Sequence, residues 1–168
     1  HGVTQLVVDP VMVAKSGDTL LQEDAVQSLC TQLIPLAALV TPNIPEAQAL
    51  TGMEISSDND MRLAARRIIE MGARGVVVKG GHLGGPQSID LLYDGVDFVE
   101  LAADRVETSS THGTGCTFAS AIAAGLAKGM EVADAVAAAK EYVTEALKRS
   151  YSVGHGHGPL NHFFKLSG

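Results

Sequence analysis

Apolar and polar positions alternate with two different periods along this chain, and the periods divide it into strands and helices. The run Gln5–Val8 is apolar and ends in Asp-Pro, a pattern that suits a parallel strand buried on both faces. Over Asp18–Ile34 the apolar residues take helical spacing, with Val26, Leu29, Cys30 and Leu33 on one side. Ala38–Val40 reads as a second short strand. The stretch TPNIPEAQALTG then predicts a helix that starts at Pro45 and stops at Gly52. A third helix is predicted over Ser56–Met71, capped by Ser57 or Asp58, with Met61, Ala65 and Ile68 facing inward. GVVVKGG is the clearest strand, three valines bounded by glycines. Ile89–Tyr93 and Val96–Leu101 flank Asp94-Gly95 and predict a hairpin. Two helices follow, Gly115–Lys128 and Glu131–Ser150, the second repeating Val132, Val136, Ala139, Val143 and Ala146. A glycine- and histidine-rich tail closes the chain. Strands alternating with helices imply an α/β fold, a mainly parallel central sheet with helices on both faces.

Composition changes this picture little. The 168 residues are 46% hydrophobic and 18% charged, an ordinary globular balance, with no apolar run near the ~20 residues of a membrane helix. No signal peptide is recognisable at the start, and two cysteines make no disulfide framework, so a cytoplasmic setting is expected. The net charge of −7 argues against nucleic acid as the main partner, while leaving room for a small anion held by backbone dipoles. The opening HGVTQLVVDP reads as a helix end, a glycine and a buried strand. A compact domain seldom opens on a central strand, so the expectation is the C-terminal portion of a longer protein.

Four clusters carry chemistry, and all lie at predicted strand C-termini or helix starts, the edge where open α/β sheets bind ligands. In SSTHGTGCTFAS, Gly113, Thr114 and Gly115 let backbone N–H groups converge at a helix start, an anion hole for a phosphoryl group or an oxyanion. A tight turn that needs glycine for steric reasons is the plainer alternative. Cys116 sits in the first turn of that helix, where the dipole favours a thiolate, whereas Cys30 reads as core. Asp9 ends the first strand. Asn43 and Glu46 stand three apart beyond the second, placed either to hold hydrated Mg²⁺ or simply to cap a helix. Lys79 ends the best strand, able to neutralise transferring phosphate or to sit solvated. His155 and His157 alternate with glycine, too short a run for a metal site, and read as an exposed or lid-like tail.

Taken in order and spacing, VVDPVMVAKSGDTLL, TPNIPEAQALTG, VVVKGGHL and THGTGCTFASAIAAGLAKG closely resemble the hydroxymethylpyrimidine (phosphate) kinases of thiamin biosynthesis, within the ribokinase-like superfamily; the tail GHGHGPLNHF fits as well. The match covers nearly the whole chain as the C-terminal portion of a single ribokinase-like domain, without the family's first third. The resemblance implies a kinase that uses ATP and Mg²⁺ to phosphorylate 4-amino-5-hydroxymethyl-2-methylpyrimidine, and then its monophosphate. It implies Gly113, Thr114 and Gly115 as the anion hole and Cys116 in the base position. Lys79 would stabilise phosphate charge; Asp9, Asn43 and Glu46 would serve Mg²⁺ and the phosphates, with Asp9 and Glu46 on the metal; Thr111 would join the ATP contacts. A homodimer is expected, with the missing N-terminal segment as a conceivable companion polypeptide, and no membrane partner. In the wider superfamily an aspartate usually stands where Cys116 does. A thiol there suits a second step whose nucleophile is already an anionic phosphate.

Three other readings compete. The same fold could phosphorylate pyridoxal. Cys116 could be an acyl-transfer nucleophile with His112 as its base. A truncated chain could bind nucleotide without turnover.

Overall fold

The structure is a computed structural model that describes residues 2–12, 21–108, 112–151 and 158–165. The chain divides into two compact units, residues 1–102 and 103–168.

In the first unit, strands β1 (Val7–Val8), β2 (Leu39–Val40) and β3 (Val76–Lys79) pair in parallel, with Val7 beside Leu39 and Val40 beside Val76. β3 then pairs antiparallel with β4 (Gln87–Tyr93), which turns back into β5 (Phe98–Asp104), giving the sheet order β1-β2-β3-β4-β5. The expected parallel sheet is thus a parallel core with an antiparallel hairpin on one side. Val76, Val77 and Val78 are wholly buried, as an apolar run covered on both faces requires.

The helices differ from the sequence pattern chiefly in the first of them. Of the predicted Asp18–Ile34 segment, residues 18–20 lie outside the described residues, and helix α1 runs over Glu23–Ser28. It widens to a π turn over Leu29–Leu33, with the Ile34 N–H donating to the Leu29 carbonyl, and tightens to a 3₁₀ turn at Ile34–Leu36. Pro35 has no N–H to donate, which agrees with the expected limit of the helical segment at Ile34. Cys30, in the π turn, is half-buried against the core rather than fully inside it.

Helix α2 (Ile44–Thr51) begins one residue before the expected Pro45. Helix α3 (Asp58–Glu70) carries a reciprocal cap in which the Ser57 hydroxyl accepts from Asp60 N–H and the Asp60 carboxylate accepts from Ser57 N–H. Met61, Ala65 and Ile68 face inward as their spacing implies, and Ala64 joins them. Together with Val8, Val40, Ile44, Val78 and Leu91 they make a single core.

The hairpin turn is longer than Asp94-Gly95. Asp94 Oδ1 accepts from the N–H groups of both Val96 and Asp97 at 2.8 Å, so four residues form the turn and β5 starts at Phe98, not Val96. Phe98 stacks on Tyr93 with ring centroids 4.1 Å apart, which closes the two strand ends together.

In the second unit, helix α4 (Thr114–Ala127) packs on α5 (Val132–Lys148). Their close approach needs a glycine: a Cβ on Gly125 would lie 3.0 Å from Ala135 Cβ. Leu160 and Phe164 pack against Ala146, and Arg149 donates to the Phe164 carbonyl at 3.2 Å, holding the last described segment on α5. His155 and His157 lie outside the described residues.

Candidate functional site

Parallel pairing brings the C-terminal ends of β1, β2 and β3 to one edge, and each end delivers a polar side chain there. Asp9 follows β1, Thr41 follows β2, and Lys79 is the last residue of β3. The strands stay in register past their formal ends. Thr41 N–H donates to the Val8 carbonyl at 2.9 Å, Lys79 N–H to the Pro42 carbonyl at 2.8 Å, and Asn43 bridges to Lys79.

Asn43 and Glu46 then lock each other. Asn43 Oδ1 accepts from Glu46 N–H at 2.9 Å, and Glu46 Oε2 accepts from Asn43 N–H at 2.7 Å. This is a capping box on α2, so the capping explanation of the pair is realised. It also fixes the Glu46 carboxylate against the strand edge, where Lys79 Nζ lies 4.0 Å from Oε2. Capping and site building are therefore one arrangement.

Lys79 Nζ donates to Asp9 Oδ1 at 3.1 Å, and the Thr41 hydroxyl donates to the same oxygen at 3.2 Å. The side chains of Lys79, Asp9 and Glu46 are only 15, 14 and 6% exposed, so these charges meet with little solvent between them. Burial pushes the Glu46 carboxyl above its ordinary pKa, against the opposing pull of the Asn43 N–H and the Lys79 ammonium.

Asp9 Oδ2 is buried and, among the described residues, has no hydrogen-bond partner. A buried carboxylate oxygen left without a donor is costly unless a cation completes it. Two carboxylates against one ammonium leave net negative charge, and every donor is a hard oxygen, which fits Mg²⁺. Among the described residues no group of three His, Cys, Asp or Glu side chains could cage a metal alone.

Two residues of this site escaped the sequence reading. Thr41, wholly buried, orients Asp9. Asp90, also buried, lies opposite Lys79 in the β3–β4 ladder and accepts from Gly80 N–H at 3.1 Å, fixing the turn that leaves Lys79. An aspartate inside the apolar SIDLLY run was a visible signal for the second. Nothing in the pattern distinguished Thr41.

In the second unit, Gly113 is the N-cap of α4 with φ +80, a left-handed conformation open chiefly to glycine. Gly113 has no side chain to cap this helix, and no acidic residue lies in the helix's first turn. The N–H groups of Thr114, Gly115 and Cys116 belong to that first turn, where a helix attracts anions. Cys116 is exposed there. Thr111 lies outside the described residues. The first-unit residues Asp9, Asn43, Glu46 and Lys79 thus form one cluster, and Gly113, Thr114, Gly115 and Cys116 form one helix start.

A family model described as phosphomethylpyrimidine kinase matches residues 1–161. The chain belongs to this family. It is 51% identical over 162 residues to the hydroxymethylpyrimidine/phosphomethylpyrimidine kinase of Rhizobium meliloti, covering 95% of this chain and 61% of that protein. It is also 54% identical over 157 residues to a thiamine biosynthesis bifunctional protein of Geobacter sulfurreducens, covering 94% of this chain and 32% of that protein. Among solved structures, the pyridoxal kinase of Staphylococcus aureus in complex with AMP-PCP superposes with a TM-score of 0.91 at 39% identity, covering 99% of this chain and 60% of that one. A phosphomethylpyrimidine kinase from Clostridium difficile superposes with a TM-score of 0.74 at 42% identity, covering 86% of this chain and 58% of that one. These likenesses support the ribokinase-like α/β fold expected from the motifs. The chain spans less than two thirds of the length of each of these relatives, from 32% to 61%. No helix among the described residues is long and apolar enough to cross a membrane.

Proposed function

We propose that this chain is the phosphoryl-transfer portion of an ATP- and Mg²⁺-dependent kinase acting on 4-amino-5-hydroxymethyl-2-methylpyrimidine and its monophosphate, toward thiamin. The observation that carries the reading is the strand-edge cluster of Asp9, Glu46 and Lys79, with Asp9 Oδ2 buried and unpartnered among the described residues. The names of the sequence relatives supply the substrate class.

Phosphoryl transfer through a loose transition state asks mainly for positioning and charge neutralisation. Asp9 and Glu46 would hold Mg²⁺, which supplies charge neutralisation at the phosphates when bound. Asn43 and Lys79 would face the phosphates, Lys79 countering the charge that develops on the transferring group. The N–H groups that follow Gly113, with Thr114 and Gly115, would cradle the phosphoryl group, Thr111 would join the nucleotide contacts, and Cys116 would stand by the acceptor hydroxyl. The protein is proposed to work in the cytoplasm as a homodimer, with this chain the C-terminal portion of one ribokinase-like domain. A companion N-terminal segment would complete the pyrimidine pocket.

A second reading has its own support. Several of the solved structures this chain resembles are pyridoxal kinases, one of them in complex with AMP-PCP and pyridoxal. One experiment separates the two: mass spectra of the products after parallel incubations with ATP, Mg²⁺ and either the hydroxymethylpyrimidine or pyridoxal. Two phosphates added to the pyrimidine support the main reading. Phosphate on pyridoxal alone supports the second. No transfer to either substrate refutes catalysis by this chain alone.

A further inference from the structure

The position of Lys79 bears on more than phosphate binding. Its ammonium lies 3.1 Å from Asp9 Oδ1 and 4.0 Å from Glu46 Oε2, the two carboxylates that are the proposed metal ligands. All three side chains are largely withdrawn from solvent, so the carboxylates would repel one another without a cation between them. Asp9 divides its two oxygens: Oδ1 takes both Thr41 and Lys79, while Oδ2 is buried with no partner among the described residues.

The backbone under Lys79 is fixed. Its own N–H is bonded to the Pro42 carbonyl, and the next N–H, of Gly80, is bonded to buried Asp90. Only the flexible four-carbon stem is left to move, and a lysine stem moves readily. A divalent cation drawn to the same carboxylates meets this ammonium at close range, where solvent screening is weak.

We infer that Lys79 is a resident counter-cation that competes with the divalent metal for Asp9 and Glu46, so that metal binding frees its ammonium for the nucleotide phosphates. This rests on the reading of Asp9 and Glu46 as metal ligands. It has a consequence opposite in sign to a merely supportive lysine. Metal alone binds weakly because it must displace an ion pair, and nucleotide strengthens metal binding by giving the displaced ammonium a new partner.

The test is calorimetric titration of the chain with Mg²⁺ in the absence of nucleotide, repeated with saturating ADP. Lys79→Met is expected to bind Mg²⁺ alone about tenfold more tightly than the wild type, roughly 1.4 kcal/mol. The tightening by ADP is expected to shrink in that variant. Lys79→Arg, which keeps the charge, is expected to retain weak binding, and Asp9→Asn to lose it. Lys79→Gln replaces Lys79→Met if circular dichroism shows the latter unfolded. Equal or weaker Mg²⁺ binding in the neutral variant, with loss in Asp9→Asn, overturns the exchange and leaves the metal ligands standing. Mg²⁺ binding that is absent throughout, or indifferent to Asp9→Asn, overturns both.

Discussion

Replacing Gly80 by alanine tests how the site edge is held. A Cβ at Gly80 would lie 2.0 Å from the Ile89 carbonyl oxygen and 3.2 Å from both the Ile89 carbonyl carbon and Met61 Cε. Real Cβ contacts stay above 3.0 Å, so β3 and β4 must part by at least 3.0 − 2.0 = 1.0 Å at this point. The obstacle is backbone, which cannot rotate aside as a side chain would. A shift of that size also stretches the 3.1 Å bond from Gly80 N–H to buried Asp90. Overpacking costs about 1–3 kcal/mol, and leaving a buried polar group unpaired costs about 1–3 more. The sum, roughly 2–6 kcal/mol, is a large share of the ~5–15 kcal/mol that stabilises a typical domain. With a urea slope of about 2 kcal/mol/M, the unfolding midpoint should fall by roughly 1–3 M. Gly81→Ala is the internal control: among the described residues its Cβ would meet only Ser88 Oγ, at 3.4 Å, so its midpoint should stay within about 0.3 M of wild type. Urea titration followed by circular dichroism measures both. A Gly80→Ala midpoint as close to wild type as the control's would refute the claim that glycine is required there by the approach of β4.

Other outcomes follow from the same geometry. Thr41→Val removes the hydroxyl that donates to Asp9 Oδ1 while keeping the buried shape, so it should weaken Mg²⁺ binding several-fold with stability changed by only about 1 kcal/mol; unchanged Mg²⁺ affinity by calorimetry would remove Thr41 from the site. Glu46→Gln probes the raised carboxyl. Because burial lifts the folded pKa above the ordinary 4.5, the stability Glu46 contributes is fully present below that value and is lost as pH rises through the folded pKa. The stability of Glu46→Gln relative to wild type should therefore increase between pH 4 and pH 7 in urea titrations, and a decrease over that range would contradict the burial argument. Cys116→Asp would place a carboxylate beside the substrate phosphate in the second transfer, so diphosphate formation should fall about tenfold or more relative to monophosphate formation. A second step at full rate, measured by product mass spectra, would show that the thiol is not there to avoid that charge.

Local rules made much of this protein legible from its sequence. The valines of β3, the inward spacing of α3 with its Ser57 cap, the apolar repeat of α5 at Val136, Ala139, Val143 and Ala146 and the glycine before α4 all depend on neighbours a few residues away, and they stand as the pattern predicts. So do the chemical residues, since Asp9, Asn43, Glu46 and Lys79 each fall where a strand ends or a helix begins. A local rule also accounts for one departure: the Asp94 carboxylate extends the hairpin turn. What the tertiary structure alone decided is who meets whom. Asp9 and Lys79 are 70 residues apart, and only parallel pairing of three strands sets one ammonium against two carboxylates. The same pairing gives Thr41 its acceptor and leaves Asp9 Oδ2 without a donor among the described residues, because a hydrogen bond across strands depends on register and depth, which no single segment encodes.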